Sequence, residues 1–123
     1  MRISAMITSV SGAVSAVLIA LVMSTQLASA NEDQVIADGK KIAFDRAKGN
    51  CLACHMIEGG ELPGNIGPPL VAMKARFPDK AKLRSQIWDS TRSNPNTIMP
   101  PFGRHEIMTE NEIDKVVEFI HSL

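Results

Sequence analysis

The sequence predicts an all-α fold in one small domain, and three observations carry that prediction. No stretch of the chain alternates apolar and polar residues in the way a half-buried strand requires. Near the carboxy terminus, Ile113, Val116, Val117 and Ile120 fall at i, i+3, i+4 and i+7, one face of a helix. Shorter helical stretches precede it, separated by loops rich in Gly and Pro, with no internal repeat or low-complexity tract.

Residues 1–30 stand apart in composition and are set aside as an export signal. Arg2 supplies the positive charge, 10–23 is an apolar run interrupted only by small residues, and Ala28-Ser29-Ala30 offers a small-x-small cleavage pattern. The strongly apolar part is shorter than the roughly 20 residues a spanning helix needs, so cleavage after Ala30 is expected, with no membrane association afterwards. Cleavage leaves a domain of residues 31–123, near the size at which an apolar core alone gives marginal stability. That domain has no Tyr, one Trp (Trp88) and four Phe, so a large planar cofactor would supply the missing core. Thirteen basic and thirteen acidic residues balance over the whole chain, and no basic patch calls for nucleic acid.

The elements follow in order. Residues 39–47, preceded by Val35 and Ile36, read as an amphipathic helix ended by Gly49-Asn50. A short helical turn follows over 51–56, then a Gly- and Pro-rich loop over 58–69, a length that is usually functional or ordered by a ligand. Residues 69–76 allow one or two helical turns, stopped at Phe77-Pro78 because the residue before a proline avoids the helical region. Asp79 suits an N-cap for a helix over 80–90 with Leu83, Ile87 and Trp88 inward. A second proline-rich loop, 94–103, leads to Thr109-Glu110-Asn111-Glu112, a capping box that opens the last helix. Phe44 against Val117 or Ile120 is the expected contact between first and last helices.

Two cysteines in an exported chain would ordinarily form a disulfide, but their spacing points elsewhere. Cys51-Leu52-Ala53-Cys54-His55 fits the Cys-x-x-Cys-His pattern of covalent haem attachment. Residues three apart on a helical turn share a face, so both thiols reach the vinyl groups on one porphyrin edge, and His55 follows over the ring as an iron ligand. A redox dithiol would need a βαβ context that is absent, and a structural zinc site needs four ligands.

The second axial position has six candidates: Met56, Met73, Met99, Met108, His105 and His121. Met56 adjoins His55 and cannot reach the opposite face of the ring. Packing accounts for Met73 and Met108, and His121 is near a terminus. Met99 lies in a loop whose prolines, Pro95, Pro100 and Pro101, lower the entropy cost of fixing one side chain, and His105 is the next choice. A neutral sulfur opposite an imidazole favours reduced iron and a relatively high potential. Around the site, the Pro68 carbonyl is a candidate acceptor for the Nδ1 proton of His55, with an ordinary proline turn as the alternative, and Arg84 and Trp88 are candidate donors to haem propionates, with a solvated arginine and a core tryptophan as the alternatives. Arg104 and His105 read either as loop anchors or as contacts with a neighbour.

With those residues in hand, the chain from 31 on resembles the class I cytochromes c, a single domain of about four helices wrapped round one covalent haem c. More narrowly it resembles SoxX, the small subunit of the SoxXA cytochrome of bacterial thiosulfate oxidation. The resemblance rests on 49–55, Gly64-Asn65-Ile66-Gly67-Pro68-Pro69-Leu70, Arg76-Phe77-Pro78-Asp79, Leu83-Arg84-Ser85-Gln86-Ile87-Trp88-Asp89, and the run from Asn94-Pro95 through Met99 to His105. The last two in combination are the more particular. The resemblance implies a periplasmic heterodimer with a SoxA-like cytochrome subunit, which carries its own haem and the sulfur chemistry of an L-cysteine S-thiosulfotransferase. Thiosulfate is there joined oxidatively to a carrier-protein cysteine, while Cys51, Cys54, His55 and Met99 hold a relay haem that passes the electrons to a soluble cytochrome c. The alternative is a free electron shuttle with the same fold and ligands. An obligate subunit is expected to expose an apolar patch, to which Leu52, Ala53, Met56 and Ile57 would contribute.

Overall fold

The computed structural model describes residues 31–123, and the signal expected over 1–30 lies outside the described residues. Helix α1 covers 31–44, α2 Met73–Arg76, α3 Lys80–Trp88 and α4 Glu110–Ser122, with single 3-10 turns at Cys51–Ala53 and Ser90–Arg92. Among the described residues there is no strand, and no helix is long and apolar enough to cross a membrane. Gln34–Leu123 packs as one compact unit.

The spine of that unit is α4. The Thr109 hydroxyl accepts the Glu112 N–H at 3.3 Å and a Glu112 carboxylate oxygen accepts the Thr109 N–H at 2.8 Å, completing the capping box. Ile113, Val116, Val117 and Ile120 are all buried, as their spacing predicts, and both α2 and α3 pack against this helix. Three ion pairs tie α3 to α4 on the outer side: Lys80 to Glu118 at 2.6 Å, and Arg84 to Asp114 at 2.6 Å and Glu110 at 3.2 Å. These groups are partly exposed, so each pair adds little beside the apolar contact beneath.

At Gly39 the first helix crosses α4. A Cβ there would stand 2.0 Å from the Lys115 carbonyl oxygen, so the two backbones approach as closely as they do only because the residue is glycine. Lys115 pairs with Asp38 at 3.1 Å and Lys48 with Glu112 at 3.0 Å on either side of the crossing. Phe44 packs against the core cluster that holds Val117 and Ile120, and it also meets Phe119 edge-on, centroids 5.8 Å apart and planes at 82°. The crossing at Gly39, which sets its would-be Cβ 3.0 Å from Phe119, turns that flank of α4 toward α1.

Helix ends depart from the sequence expectation where side chains and left-handed residues intervene. The chain is already helical at 31 and leaves α1 at 44, because a carboxylate oxygen of Asp45 takes the Ala47 N–H at 2.8 Å and the Gly49 N–H returns to the Ile42 carbonyl at 3.1 Å. In place of two turns, α2 has one, since Ala72 is left-handed (φ 51°). Asp79 caps α3 through the Ala81 N–H, as expected, but the helix stops at Trp88. Asp89 is extended (φ −154°) and caps the following 3-10 turn through the Thr91 N–H at 3.1 Å.

Glu112 is held below its ordinary value of 4.5 by the Thr109 N–H first and then by Lys48. A carboxyl depressed by folding stabilises the native state above its unfolded pKa, and that contribution is lost as pH falls through the lower native value. Glu112→Gln keeps the capping geometry and removes the charge, so it is expected to cost about 0.5–1 kcal/mol at neutral pH. Denaturant titrations from pH 7 down to pH 3 are expected to show this difference shrinking to nothing, and a difference that grew with acid would contradict the assignment.

Candidate functional site

A cavity of about 670 Å³ opens in the middle of the domain, within the range of cofactor sites. Its walls are apolar: Leu83 and Ile87 from α3, Val116 and Ile120 from α4, with Phe102 and Met108 from the approach to α4. All four site residues expected from the sequence, Cys51, Cys54, His55 and Met99, line it.

The cysteine turn enters through Asn50, which is left-handed (φ 46°), and closes when the His55 N–H reaches the Cys51 carbonyl at 2.9 Å. Both thiols are free and half-buried. Burial pushes the Cys51 thiol up to about 11, so it is held as a thiol, the opposite of the thiolate that a redox dithiol needs. Among the described residues no group of three or more His, Cys, Asp or Glu converges, which leaves the zinc reading without a ligand set.

The loop after this turn is ordered by backbone bonds rather than by helix. Gly64 N–H bonds to the Leu52 carbonyl at 2.7 Å, Gly67 N–H to Cys54 at 2.8 Å and Leu70 N–H to Met56 at 2.9 Å, zipping 64–70 onto 52–56. That zip places the Pro68 carbonyl 2.7 Å from His55 Nδ1, as the sequence suggested. The donated proton fixes the tautomer and leaves Nε2 as a free lone pair. A Cβ on Gly67 would lie 2.5–3.0 Å from three atoms of the imidazole, so the ring rests on a cradle that only glycine provides.

Of the six axial candidates, Met56 is 55% exposed, and it, His105 and His121 lie outside the cavity wall. Met73, Met99 and Met108 line it. Met73 and Met108 are each 2% exposed and belong to the packed core, with the Met73 sulfur also accepting from Arg76 at 3.4 Å. Met99 is half-buried on the loop and packs against the buried core without belonging to it.

Arg84 and Trp88 are not on the cavity wall. Arg84 pairs with Asp114 and Glu110 rather than standing free in solvent, and its guanidinium lies 5.4 Å from the ring centre of Trp88, which is half-buried and packed against the core. Besides His55, the polar groups that line the cavity are Arg46, Lys48, Asn50, Arg76, Gln86 and Thr97, none of which the sequence singled out as a site residue. Arg76 also donates to the Pro69 carbonyl at 2.8 Å, next to the carbonyl that holds His55. The spacing of Arg76, three residues after Met73 on one helical face, was the one signal for it. Arg104 anchors its own loop, donating to Asp89 at 3.2 Å, and His105 is exposed.

The cytochrome c family matches residues 36–123, and the chain belongs to that family. It is a class I cytochrome c with one covalently attached haem c, and the cavity, its paired free thiols and the glycine-cradled imidazole fit that group. The chain is SoxX-like: it superposes on a chain of the crystal structure of SoxXA from P. pantotrophus with a TM-score of 0.63 and 28% identity, over 70% of this chain and 79% of that one. It is also 33% identical over 75 residues to an uncharacterized lipoprotein of Aquifex aeolicus (strain VF5), covering 60% of this chain and 36% of that protein. With the cbb3-type cytochrome c oxidase subunit CcoP of Azospirillum sp. (strain B510) it shares 30% identity over 112 residues, 80% of this chain and 38% of that one. The chain thus spans well under half the length of these two curated relatives.

Gly67→Ala is expected to drive the imidazole off the Pro68 carbonyl and to lower the haem content of the purified protein severalfold, read as the ratio of haem to protein absorbance. A wild-type ratio with an unshifted spectrum would show that the cradle is not needed.

Proposed function

We propose that this chain is the electron-relay subunit of a SoxXA-type periplasmic complex, in which a SoxA-like partner conjugates thiosulfate to a carrier-protein cysteine. In this reading Cys51 and Cys54 would hold the haem through two thioethers, and His55 Nε2 and the Met99 sulfur would bind its iron. The bound haem supplies reversible one-electron chemistry at its iron. The protein's part is to hold imidazole and thioether in place through the redox change and to keep water from the iron with the apolar walls at Leu83, Ile87, Val116 and Ile120. Iron held by both of these side chains would leave no place for a substrate, which suits relay rather than sulfur chemistry. Electrons then pass to a soluble cytochrome c.

The observation that carries the Sox assignment is the likeness to SoxXA over most of both chains. The distal assignment is supported by the state of the three cavity methionines, of which Met73 and Met108 are buried in the core while Met99 is half-buried and packs against its edge. The exposed apolar residues support a covered face, although not the set expected from the sequence. Ile57 is 2% exposed and belongs to the core, because the turn after His55 folds it inward. Of the expected residues Met56 is exposed, at 55%, and it is joined by Ile66 and Ile98 at 67% and 71%, both on the cavity lining. An apolar rim of this kind suits a lasting partner better than a transient one.

Native purification from the host with mass analysis is expected to recover the chain with a porphyrin adduct together with a second haem-bearing polypeptide. Recovery as a lone haem protein would favour the general shuttle. Separately, Met99→Ala is expected to abolish the weak long-wavelength absorption of ferric iron bound to methionine sulfur and to lower the reduction potential; retention of both would remove Met99 from the site.

A further inference from the structure

The segment that carries Met99 is closed at its neck by the end of α3. Asn94 N–H bonds to the Ser90 carbonyl at 3.1 Å, and Gly103 N–H and Arg104 N–H bond to the Trp88 carbonyl at 3.1 and 3.3 Å. Asp89, buried and held below its ordinary value first by the Thr91 hydroxyl, fastens the far side through Arg104. Inside this ring the backbone of Met99 itself has no backbone partner. Its N–H is taken by the Thr97 hydroxyl at 3.1 Å, and its carbonyl accepts from the Ser90 hydroxyl at 2.8 Å.

Ser90 is fully buried, 0% exposed, and among the described residues this is its only side-chain bond. A buried hydroxyl without a partner carries a desolvation cost, so the bond is strongly selected between two arrangements of the loop: the one that presents the Met99 carbonyl and any that does not. Fixing both polar groups of a residue's backbone leaves its side chain only its own rotamers to explore.

From this geometry we propose that Ser90 is the positioning residue for the distal ligand, its hydroxyl holding the Met99 backbone so that the sulfur stays over the iron. The proposal rests on Met99 being that ligand. Thr97 acts with it from the other side of the same residue. Their effect is on the equilibrium between methionine-bound and methionine-free iron, not on the attachment of haem, which the cysteine turn controls.

Exogenous imidazole is the probe, because it binds ferric iron only by displacing the distal ligand. In the haem-loaded protein Ser90→Ala is expected to raise the affinity for imidazole about tenfold, the change that one lost buried hydrogen bond produces in an equilibrium. Ser122→Ala removes a hydroxyl-to-carbonyl bond of the same kind, to Phe119 at 2.6 Å on α4, and is expected to leave the affinity within about twofold of the wild type. Thr97→Val provides a second variant on a half-buried site and is expected to act in the same direction, severalfold, whether or not Ser90→Ala yields folded protein. Imidazole affinity unchanged in every folded variant of this pair, while Met99→Ala raises it strongly, overturns the role of Ser90 and leaves the ligand assignment standing. Equal affinity in the wild type and in Met99→Ala overturns the ligand assignment itself.

Discussion

Seven of the twelve buried apolar side chains of this domain, Leu83, Ile87, Val116 and Ile120 among them, are also walls of the cavity. The core is therefore largely a surface turned toward a flat guest, and the helices meet one another directly only along the remaining side of α4. A domain of this length buries too little surface to be robust through helix packing alone. The haem supplies the missing interior, and its thioether attachment keeps that interior present when the chain opens. Cofactor retention and folding are one constraint here, and the sequence bears its marks in the scarcity of aromatic residues and in the two cysteines kept free of each other.

That constraint explains why so much of the chain is loop. Residues 58–72 and 93–109 carry no α-helix, yet each is organised against a stretch of the cavity wall. The first is zipped by backbone bonds onto the cysteine turn, and its regularity lies in the matching of carbonyls and N–H groups across the two segments. The second closes on the end of α3. In both, prolines reduce what the unfolded chain loses on ordering, and the backbone groups that prolines leave over are assigned to specific tasks. The Pro68 and Pro69 carbonyls are examples, one accepting from His55 and the other from Arg76.

Much of this was legible in the sequence, wherever a local rule has few solutions. The Cys-x-x-Cys-His turn, the Thr109 capping box, the Asp79 cap and the buried face of α4 each depend on residues within one or two turns of each other, and each is found where expected. The Pro68 carbonyl was legible because the Gly-Pro-Pro-Leu turn has so few conformations open to it. What was not legible depends on how elements cross. Phe44 meets Phe119 because of the close approach at Gly39, which no periodicity announces. Arg84 read as a solvated arginine or a propionate donor because Asp114 and Glu110 lie some thirty positions away in sequence, brought to it only by the α3–α4 packing. Ile57 read as surface for the same reason, since its burial depends on a turn set by the loop beyond it. Helix ends moved because Asp45 and Asp89 use their side chains on neighbouring N–H groups, a competition that composition does not resolve.

The two sides of the site are built by unlike means, and the difference has a physical consequence. The imidazole is one residue from a covalent anchor, cradled by Gly67 and bonded to a backbone carbonyl inside a segment held by three further backbone bonds. To move it, the chain would have to unzip. The Met99 loop is tied at its neck and at one residue by hydroxyls, so that, with Met99 as the proposed ligand, its grip on the cofactor changes at the cost of one or two hydrogen bonds. Replacing a hydroxyl changes that grip without touching the zip, the cavity wall or the cysteines. Any adjustment of potential or of ligand lability in this scaffold therefore has its cheapest route through the distal loop, in the few side chains at the end of α3 that face it.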